Sequence, residues 1–269
     1  MTSNIHSTAI VAPEAKIADS AIIGPFCSIG PNVSIENSVL LKSHVVVDGY
    51  TTIGAGTTVY PFSSLGLAPQ HSAFKGEKSN LVIGKNNVIR ENVTMHPGTN
   101  AGRMTTIIGD NCLFMVGSHV AHDCIISDNV ILTNNVALGG HVLIDQYAII
   151  GGLSGIHQYV RIGKHAMIGG CSAVESDVIP YGAVKGNRAR LTGLNLVGLR
   201  RRGFSREDVR SLRTAYGLLF SQGGNLSEKL SEVSDLFPDH PGVEDIITFI
   251  KVESARGICQ PPSVNGNGS

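Results

Sequence analysis

The 269-residue chain contains no tryptophan, and aromatic residues make up only 5% of it. Its five cysteines include no CxxC pair, which argues against a disulfide framework and against a cysteine-based zinc site. Lysine plus arginine equals aspartate plus glutamate at 21 each, so no overall charge marks a nucleic-acid or membrane-surface binder. Any electrostatic argument about function therefore has to be local.

Long hydrophobic runs are also missing. The N-terminal MTSNIHSTAI has neither a basic region nor a continuous apolar region, and no later stretch offers eighteen uninterrupted apolar residues. We therefore expect a soluble, cytoplasmic protein that has no nucleic-acid partner and no stable membrane insertion. What is abundant is glycine, with 32 residues, alongside 42% hydrophobic residues. This combination suits thin, repetitive coils around an extensive core.

A branched or long apolar residue returns every six positions over most of the chain. The pattern runs from residue 5 to 65, returns at 83 to 95, and after one extra residue continues from 108 to 174. A small or β-branched residue follows each apolar one after four positions, as at Cys27 and Val130. A period of six matches neither an α-helix nor a series of hairpins. It indicates internal repetition with two inward positions per hexad.

Three hexads close a triangular coil of eighteen residues, and successive coils stack at roughly 4.8 Å. The pattern thus predicts a mainly β fold, a parallel β-helix over residues 1–187. Its hand is not set by this argument, because crossover statistics favour right-handed connections. From Gly66 to Leu81 the count of six persists, but His71 and Glu77 occupy apolar positions. This segment predicts a loop excursion, either functional or a plain insertion.

The period changes after Pro180, and residues 188–269 predict a C-terminal helical domain. Ser205 and Asp208 form a capping-box pattern that opens an amphipathic helix, which we expect Gly223 and Gly224 to end. Two further helices are predicted over residues 226–236 and 243–255. The tail QPPSVNGNGS predicts disorder.

Four of the ten histidines come close together when the eighteen-residue coil is imposed on the sequence. Adding eighteen and thirty-six to 122 gives 140 and 158, so His141 and His157 each lie one residue from stacking on His122. His119 precedes His122 by half a hexad. The strand spacing places these four within roughly 10 to 15 Å along one edge. Each of them, taken alone, could instead be a solvated corner residue.

The residues next to these histidines favour a catalytic or ligand-binding role over a solvated corner. Asp123 follows His122 and offers an orienting carboxylate, while Gln158 follows His157 and offers an amide to a polar ligand. A neutral histidine can accept a hydroxyl proton, which acyl transfer to an alcohol requires. Cys124 occupies an inward position and is interpreted as core packing rather than as a nucleophile.

A second local signal is positive charge. Nine basic residues fall within the twenty-nine residues from 185 to 213: Lys185, Arg188, Arg190, Arg200, Arg201, Arg202, Arg206, Arg210 and Arg213. They form either a solvated surface or a patch that attracts phosphates and an acidic partner protein.

Several motifs in register resemble the UDP-N-acetylglucosamine O-acyltransferase family of hexapeptide-repeat transferases, which catalyses the first step of lipid A synthesis. They are HVAHDC (119–124), GGH before Val142, GIHQY (155–159), GGCSAV (169–174) and LRRRGFSRE (199–207). The likeness extends to about residue 257. It implies a left-handed helix and a homotrimer with sites between subunits. It also implies an acyl donor carried on the phosphopantetheine of acyl carrier protein, with no metal and no other cofactor.

The resemblance also implies residue roles. His122 would take the proton from the sugar 3-hydroxyl, Asp123 would orient that imidazole, and the Gly140 N–H would stabilise the oxyanion. Gly170 would act as an acyl-chain ruler that leaves room for a long (R)-3-hydroxyacyl chain, unless it is a corner glycine that needs a positive φ. Substrate contacts are implied for His71, His119, His141, His157, Gln158, Asn195, Arg201 and Arg202.

The sequence departs from the family pattern at a few positions. In the segment PQHSAFKGE, His71 stands where the family usually has an acidic residue, and Ala73 stands where it usually has a lysine. Pro97 replaces an arginine, and Val197 replaces a glutamate. None of these changes touches the predicted catalytic residues.

Three other functions remain as alternatives. A hexapeptide β-helix with three histidine ligands can be a zinc-dependent hydratase of the carbonic anhydrase type, although here the histidines spread along an edge. The later N-acyltransferase of the same pathway carries an extra N-terminal domain, whereas here the hexads begin at Ile5. The third alternative is a binding scaffold without catalytic activity.

Overall fold

The computed structural model describes residues 4–262, and the hexads form short strands that run as coils. The first ten strands are β1 (Ile10–Val11), β2 (Lys16–Ile17), β3 (Ile22–Ile23), β4 (Ser28–Ile29), β5 (Ser34–Ile35), β6 (Leu40–Leu41), β7 (Val46–Val47), β8 (Tyr50–Ile53), β9 (Thr58–Val59) and β10 (Ser64–Leu65). After an excursion follow β11 (Asn80–Ile83), β12 (Val88–Ile89) and β13 (Thr94–Met95).

A second excursion separates these strands from the rest of the prism. The next strands are β14 (Thr105–Ile108), β15 (Leu113–Phe114), β16 (His119–Val120), β17 (Ile125–Ile126), β18 (Ile131–Leu132), β19 (Ala137–Leu138), β20 (Leu143–Ile144), β21 (Ile149–Ile150), β22 (Gly155–Ile156), β23 (Arg161–Ile162), β24 (Met167–Ile168) and β25 (Ala173–Val174).

Every third strand belongs to the same parallel sheet, so three sheets make the faces of a prism. Paired residues lie eighteen apart, as in Ile10 with Ser28 and Leu113 with Ile131, which confirms the predicted coil. The last residue of each strand from β1 to β25 points inward, and Ile53, Val59 and Leu65 have no exposed surface. Burying each such side chain stabilises the fold by about 1.5–3 kcal/mol.

The corners of the prism place side chains in ladders. Many corner residues that are not glycine adopt a positive φ, among them Asp123 at 60°, His141 at 62° and Tyr159 at 67°. Aspartate, asparagine and histidine are enriched in this left-handed region. Because one corner stacks on the next, several corner residues contact the residue eighteen positions later, as His141 contacts Tyr159. The left-handed corners therefore determine which polar groups meet on the surface.

Two excursions interrupt the coils. The first, between β10 and β11, confirms the predicted loop, since Ile53 pairs with Ile83 at a separation of 30 rather than 18. The second lies between β13 and β14, where Ile83 pairs with Ile108 at a separation of 25. The sequence predicted only one extra residue there, which is wrong. Six of the seven additional residues have the length of a hexad, so counting alone could not separate them from a regular turn.

A hairpin and four helices complete the described part of the chain. Strand β26 (Gly182–Lys185) pairs parallel with β24 and antiparallel with β27 (Arg190–Leu194), so this hairpin spans the predicted domain boundary. The helices that follow are α1 (Leu196–Arg201), α2 (Arg206–Leu219), α3 (Leu226–Leu236) and α4 (Pro241–Lys251). None of the described helices is long and apolar enough to cross a membrane.

The predicted helices are largely confirmed. Ser205 caps α2 through a capping box with Asp208. The expected end at Gly223 and Gly224 is wrong, because α2 stops at Leu219 with Phe220 as its C-cap. Helix α4 begins two residues earlier and ends four residues earlier than predicted. Most of the tail expected to be disordered, residues 263–269, lies outside the described residues.

Buried polar contacts tie the helices to the end of the prism. The Arg161 guanidinium donates to the fully buried Asp177 carboxylate at 2.6 Å and stacks over the Phe249 ring of α4 at 4.4 Å. The Tyr181 hydroxyl donates to Asp245 of the same helix at 2.5 Å. These contacts hold the C-terminal domain against the last coils of the prism.

Candidate active site

His122 and Asp123 form a hydrogen-bonded pair at one corner of the prism. His122 is 9% exposed and Asp123 is fully buried, and His122 Nδ1 lies 2.8 Å from Asp123 Oδ2. Burial raises the pKa of Asp123, but hydrogen bonds from His122, Thr99 and Arg103 outweigh burial and hold it below its ordinary value. An ionised carboxylate only accepts, so Nδ1 carries the proton, and in the neutral imidazole Nε2 is the acceptor.

Gly140 lies directly above His122 on the next coil. A Cβ built on Gly140 would stand 2.5 Å from Cε1 and 2.7 Å from Nε2 of His122, so only glycine fits beside the imidazole. In the described part of the chain, no hydrogen-bond acceptor is found for the Gly140 N–H. The site thus combines a basic nitrogen with a neighbouring free backbone donor.

Two more imidazoles surround His122. The His141 ring meets it edge-on at 5.1 Å between centroids, and the His71 ring does so at 4.8 Å. Burial lowers the pKa of His141, and Asp123 only partly opposes this effect. Tyr159 stacks flat on His141 at 4.4 Å. Among the described residues, no hydrogen-bond partner is found for His71 Nδ1, which is buried.

The Glu77 carboxylate links the first excursion, which carries His71, to the second. Glu77 Oε1 accepts from the Asn100 N–H at 3.0 Å, and Oε2 accepts from the Lys75 N–H at 2.8 Å. The backbone of the first excursion is therefore tied to the second.

The other predicted histidines occupy different surroundings. His119 contacts His96 at 5.2 Å, and its Nδ1 lies 2.7 Å from Thr94 Oγ1. Burial, with a contribution from His96, lowers the pKa of His119 to about 4, so its ring is neutral. His157 is exposed, and its Nδ1 lies 3.2 Å from the Gln158 carbonyl. The expected column is thus only partly formed, with Tyr159 rather than His157 packed on His141.

The site also contains a cluster with metal-ligand chemistry. His122, Asp123 and His141 offer ligand atoms that lie within 4.8 Å of one another. Both Asp123 oxygens, however, already accept hydrogen bonds from Thr99, and Oδ1 accepts a further one from Arg103. This arrangement favours a hydrogen-bonded dyad over a metal centre. Burial raises the pKa of the Cys124 thiol to about 12, which agrees with a core role for that residue.

The predicted arginines and asparagine line a separate cavity of about 770 Å³ at the junction with α1. Its polar wall contains Asn195, Arg201 and Arg202. The Arg202 guanidinium lies 4.2 Å over the Tyr147 ring, which stacks on His165 at 4.9 Å. Asn195 caps α1 by accepting from the Gly198 N–H and donates to the His165 carbonyl at 2.9 Å. The Tyr147 ring therefore positions Arg202, and the His165 backbone carbonyl positions Asn195.

Gly170 lies one coil above Gly152, as the sequence predicted. Its φ is outside the left-handed region, so the corner explanation for this glycine is wrong. The left-handed position belongs to Cys171, with φ of 56°. A Cβ on Gly170 would lie 3.3 Å from the Gly152 carbonyl oxygen, a tight contact. Gly170 is exposed and Gly152 is partly buried, so the surface carries no side chain at these two stacked positions.

Comparison with known proteins gives a consistent result. Residues 177–259 match the model of a family described as UDP N-acetylglucosamine O-acyltransferase, domain 2. The acyl-[acyl-carrier-protein]–UDP-N-acetylglucosamine O-acyltransferase of Caulobacter vibrioides is 51% identical over 96% of this chain and 98% of its own. The protein of the same name from Paracoccus denitrificans is 49% identical over 76% of this chain and 77% of its own. The chain belongs to the UDP-N-acetylglucosamine O-acyltransferase family.

Solved structures of this family share the fold. The Moraxella catarrhalis UDP-N-acetylglucosamine O-acyltransferase aligns with a TM-score of 0.93 at 42% identity, covering 96% of this chain and 100% of that one. An Acinetobacter baumannii structure aligns with a TM-score of 0.92 at 43% identity, covering 95% and 99%. The predicted fold class, a left-handed parallel β-helix with a C-terminal helical domain, is confirmed. The matches do not support the hydratase or N-acyltransferase alternatives.

The sequence missed several residues that shape the site of this family member. Thr99 and Arg103 bind the Asp123 carboxylate, Tyr159 supports His141, and Tyr147 supports Arg202. The extra residue in the hexad count after Met95 was the one signal that a segment leaves the coil there.

Proposed function

We propose that the chain transfers an acyl group from acyl carrier protein to the 3-hydroxyl of UDP-N-acetylglucosamine, the first step of lipid A biosynthesis. One observation supports this function above all. His122 has its Nδ1 bound to a buried, ionised carboxylate, which leaves Nε2 basic beside the free N–H of Gly140. That arrangement suits a reaction that removes a hydroxyl proton and develops negative charge on a carbonyl oxygen.

In the proposed reaction, His122 Nε2 accepts the proton of the sugar hydroxyl as the oxygen attacks the thioester carbonyl. Asp123 stabilises the imidazolium that forms, and the Gly140 N–H donates to the oxyanion. Collapse of the tetrahedral intermediate breaks the carbon–sulfur bond. The leaving thiolate then takes the proton back from His122, so the base is regenerated and no metal or other cofactor is needed.

The remaining predicted residues are proposed to hold the substrates. The cavity with Asn195, Arg201 and Arg202 is cationic and suits the diphosphate of a nucleotide sugar. His71 and His141 lie against the base, which supports a role in contacting the sugar, and His119, His157 and Gln158 are proposed as further contacts. Gly170 is exposed and has no side chain to obstruct the surface there, which supports a long (R)-3-hydroxyacyl chain as the substrate. We further propose a cytoplasmic homotrimer with sites between subunits.

The test is an assay of purified protein with 3-hydroxyacyl carrier proteins of several chain lengths and UDP-N-acetylglucosamine. We expect acyl transfer, and we expect His122→Ala to lower kcat by roughly 10² to 10⁴. The exposed His6 supplies a control, since His6→Ala should retain full activity. A His122→Ala variant within threefold of the wild type would refute this role. Stoichiometric zinc in the purified protein, with activity lost on chelation, would instead favour the hydratase.

A further inference from the structure

The second excursion has a feature that none of the predicted roles explains. Its residues 98–103, here called the carboxylate clamp, wrap around the Asp123 side chain. We infer that the carboxylate clamp positions the catalytic pair and that Thr99 is a positioning residue for His122. This inference rests on the proposed function, because it assumes that His122 is the base.

Three donors of the carboxylate clamp converge on the buried carboxylate. The Thr99 hydroxyl donates to Asp123 Oδ2 at 2.7 Å. The Thr99 N–H lies 3.2 Å from Oδ1 and 3.1 Å from Oδ2, and the Arg103 N–H donates to Oδ1 at 2.6 Å. With His122 Nδ1 as the fourth donor, both oxygens are fully engaged. The orientation of the carboxylate is therefore set by the carboxylate clamp before any substrate binds.

The shape of the carboxylate clamp depends on two glycines. A Cβ on Gly102 would lie 2.5 Å from both Asp123 carboxylate oxygens. A Cβ on Gly98 would lie 2.9 Å from Oδ1, but it would first meet the backbone of Met104 and Thr105, at 2.3 Å and 2.1 Å. Gly102 has a φ outside the left-handed region, so backbone conformation does not require a glycine there. The close approach of the backbone to the Asp123 carboxylate does require one. This segment is thus fitted to a carboxylate rather than merely passing near it.

The energetic reason for the carboxylate clamp lies in burial. A carboxylate without exposed surface would tend to protonate unless donors compensate for lost water. A protonated Asp123 would no longer hold a proton on His122 Nδ1, and the basic Nε2 would be lost in part of the molecules. Donors from Thr99 and Arg103 keep the carboxylate ionised, and they fix the plane in which it meets the imidazole.

The carboxylate clamp also binds the first excursion. The amide after Thr99, the Asn100 N–H, donates to Glu77 of the first excursion, which carries His71. Consecutive backbone amides thus hold the carboxylate behind His122 and the loop in front of it. Displacing the clamp is therefore expected to disturb both sides of the base.

The first test compares Thr99→Val with Thr99→Ser. Valine keeps the shape and the N–H but removes the hydroxyl donor, whereas serine retains that donor. We expect kcat to fall roughly tenfold in Thr99→Val, as for one hydrogen bond to a charged group, with KM for the sugar nucleotide within twofold. Thr99→Ser should stay within threefold of the wild type. The matched control is Thr57→Val, which removes another buried hydroxyl, bound to the Gly84 carbonyl, and should leave kcat unchanged.

A pH profile separates positioning from simple loss of structure. With one donor fewer, the Asp123 carboxylate accepts more strongly from His122 Nδ1 and stabilises the protonated imidazole. The acidic limb of kcat/KM should therefore move to higher pH in Thr99→Val and not in Thr57→Val. His71, His141 and Arg103 also face the pair, but they are identical in all variants.

A second variant tests how closely the carboxylate clamp fits around the Asp123 side chain. Gly102→Ala should push the carboxylate away and lower kcat at least tenfold, while Gly217→Ala, with open space around it, should not. In an Asp123→Asn background, Thr99→Val should lower kcat by less than a further twofold, because the residues act as one unit.

The inference is overturned if Thr99→Val keeps the wild-type kcat and pH profile, or if Thr99→Ser and Thr57→Val lose as much activity as Thr99→Val. An inactive wild type, or an active His122→Ala, would instead refute the proposed function itself.

Discussion

Gly140 and His122 are stacked so closely that a methyl group on Gly140 would contact the imidazole at 2.5 Å. The backbone of one coil thus forms the wall against which the base of the coil below is held. The same backbone supplies an N–H that no described protein group accepts. Position 140 therefore influences both the base and the proposed oxyanion donor.

Gly140→Ala tests this contact. We expect kcat to fall by roughly 10²-fold, because the added methyl displaces His122 Nε2 from the attacking hydroxyl while the fold is retained. Steady-state kinetics and a thermal melt measure the two effects. Gly155→Ala is the control, since a Cβ there meets nothing within 4 Å. Equal activities of the two variants would contradict the contact.

Gly170→Met tests the acyl-chain ruler. The methionine side chain would cover the exposed surface that Gly170 leaves bare, so the preferred donor should shorten, with about 0.8 kcal/mol lost for each methylene that is no longer buried. Relative kcat/KM across a series of acyl carrier proteins measures this preference. The variant should fold and retain the oligomeric state of the wild type. An unchanged chain preference at full activity would leave Gly170 without a role in selection.

Tyr147→Leu tests how Arg202 is held. Leucine removes the ring over which the guanidinium lies at 4.2 Å, so Arg202 becomes mobile in the cavity. We expect KM for the sugar nucleotide to rise about three- to tenfold with kcat nearly unchanged, and Arg202→Ala to give no further large loss in the Tyr147→Leu background. Fully additive effects of the two substitutions would show that the stacking does not matter.

His165 makes stability depend on pH. Burial, together with Arg202 and Lys164, lowers the pKa of His165 to about 4, against about 6.5 in an unfolded chain. Between these values the unfolded state binds more protons, so the free energy of unfolding falls as the pH drops from 6.5 towards 4. His165→Phe retains stacking with Tyr147 and Tyr181 and should reduce that loss, as measured by urea unfolding at pH 7 and pH 5. A pH dependence identical to that of the wild type would exclude this contribution.

The sequence by itself determined the architecture of this protein. Inward apolar residues recur every six positions because each short strand buries one side chain against the same axis, and that requirement is local and repeats along the chain. The capping box at Ser205 and Asp208 is local in the same sense. The pair of His122 and Asp123 could also be found, since neighbouring residues and an eighteen-residue coil placed His141 beside it.

Only the tertiary structure decided what surrounds that pair. Thr99 reaches Asp123 across 24 residues, and His71 reaches His122 from a loop that leaves the coil altogether. Counting residues cannot locate such contacts, because an excursion has no repeat and its path depends on carboxylate and amide partners in other segments. Tyr159 rather than His157 packs on His141 for a related reason: the corner geometry, with its positive φ, selects which residue projects onto the ladder.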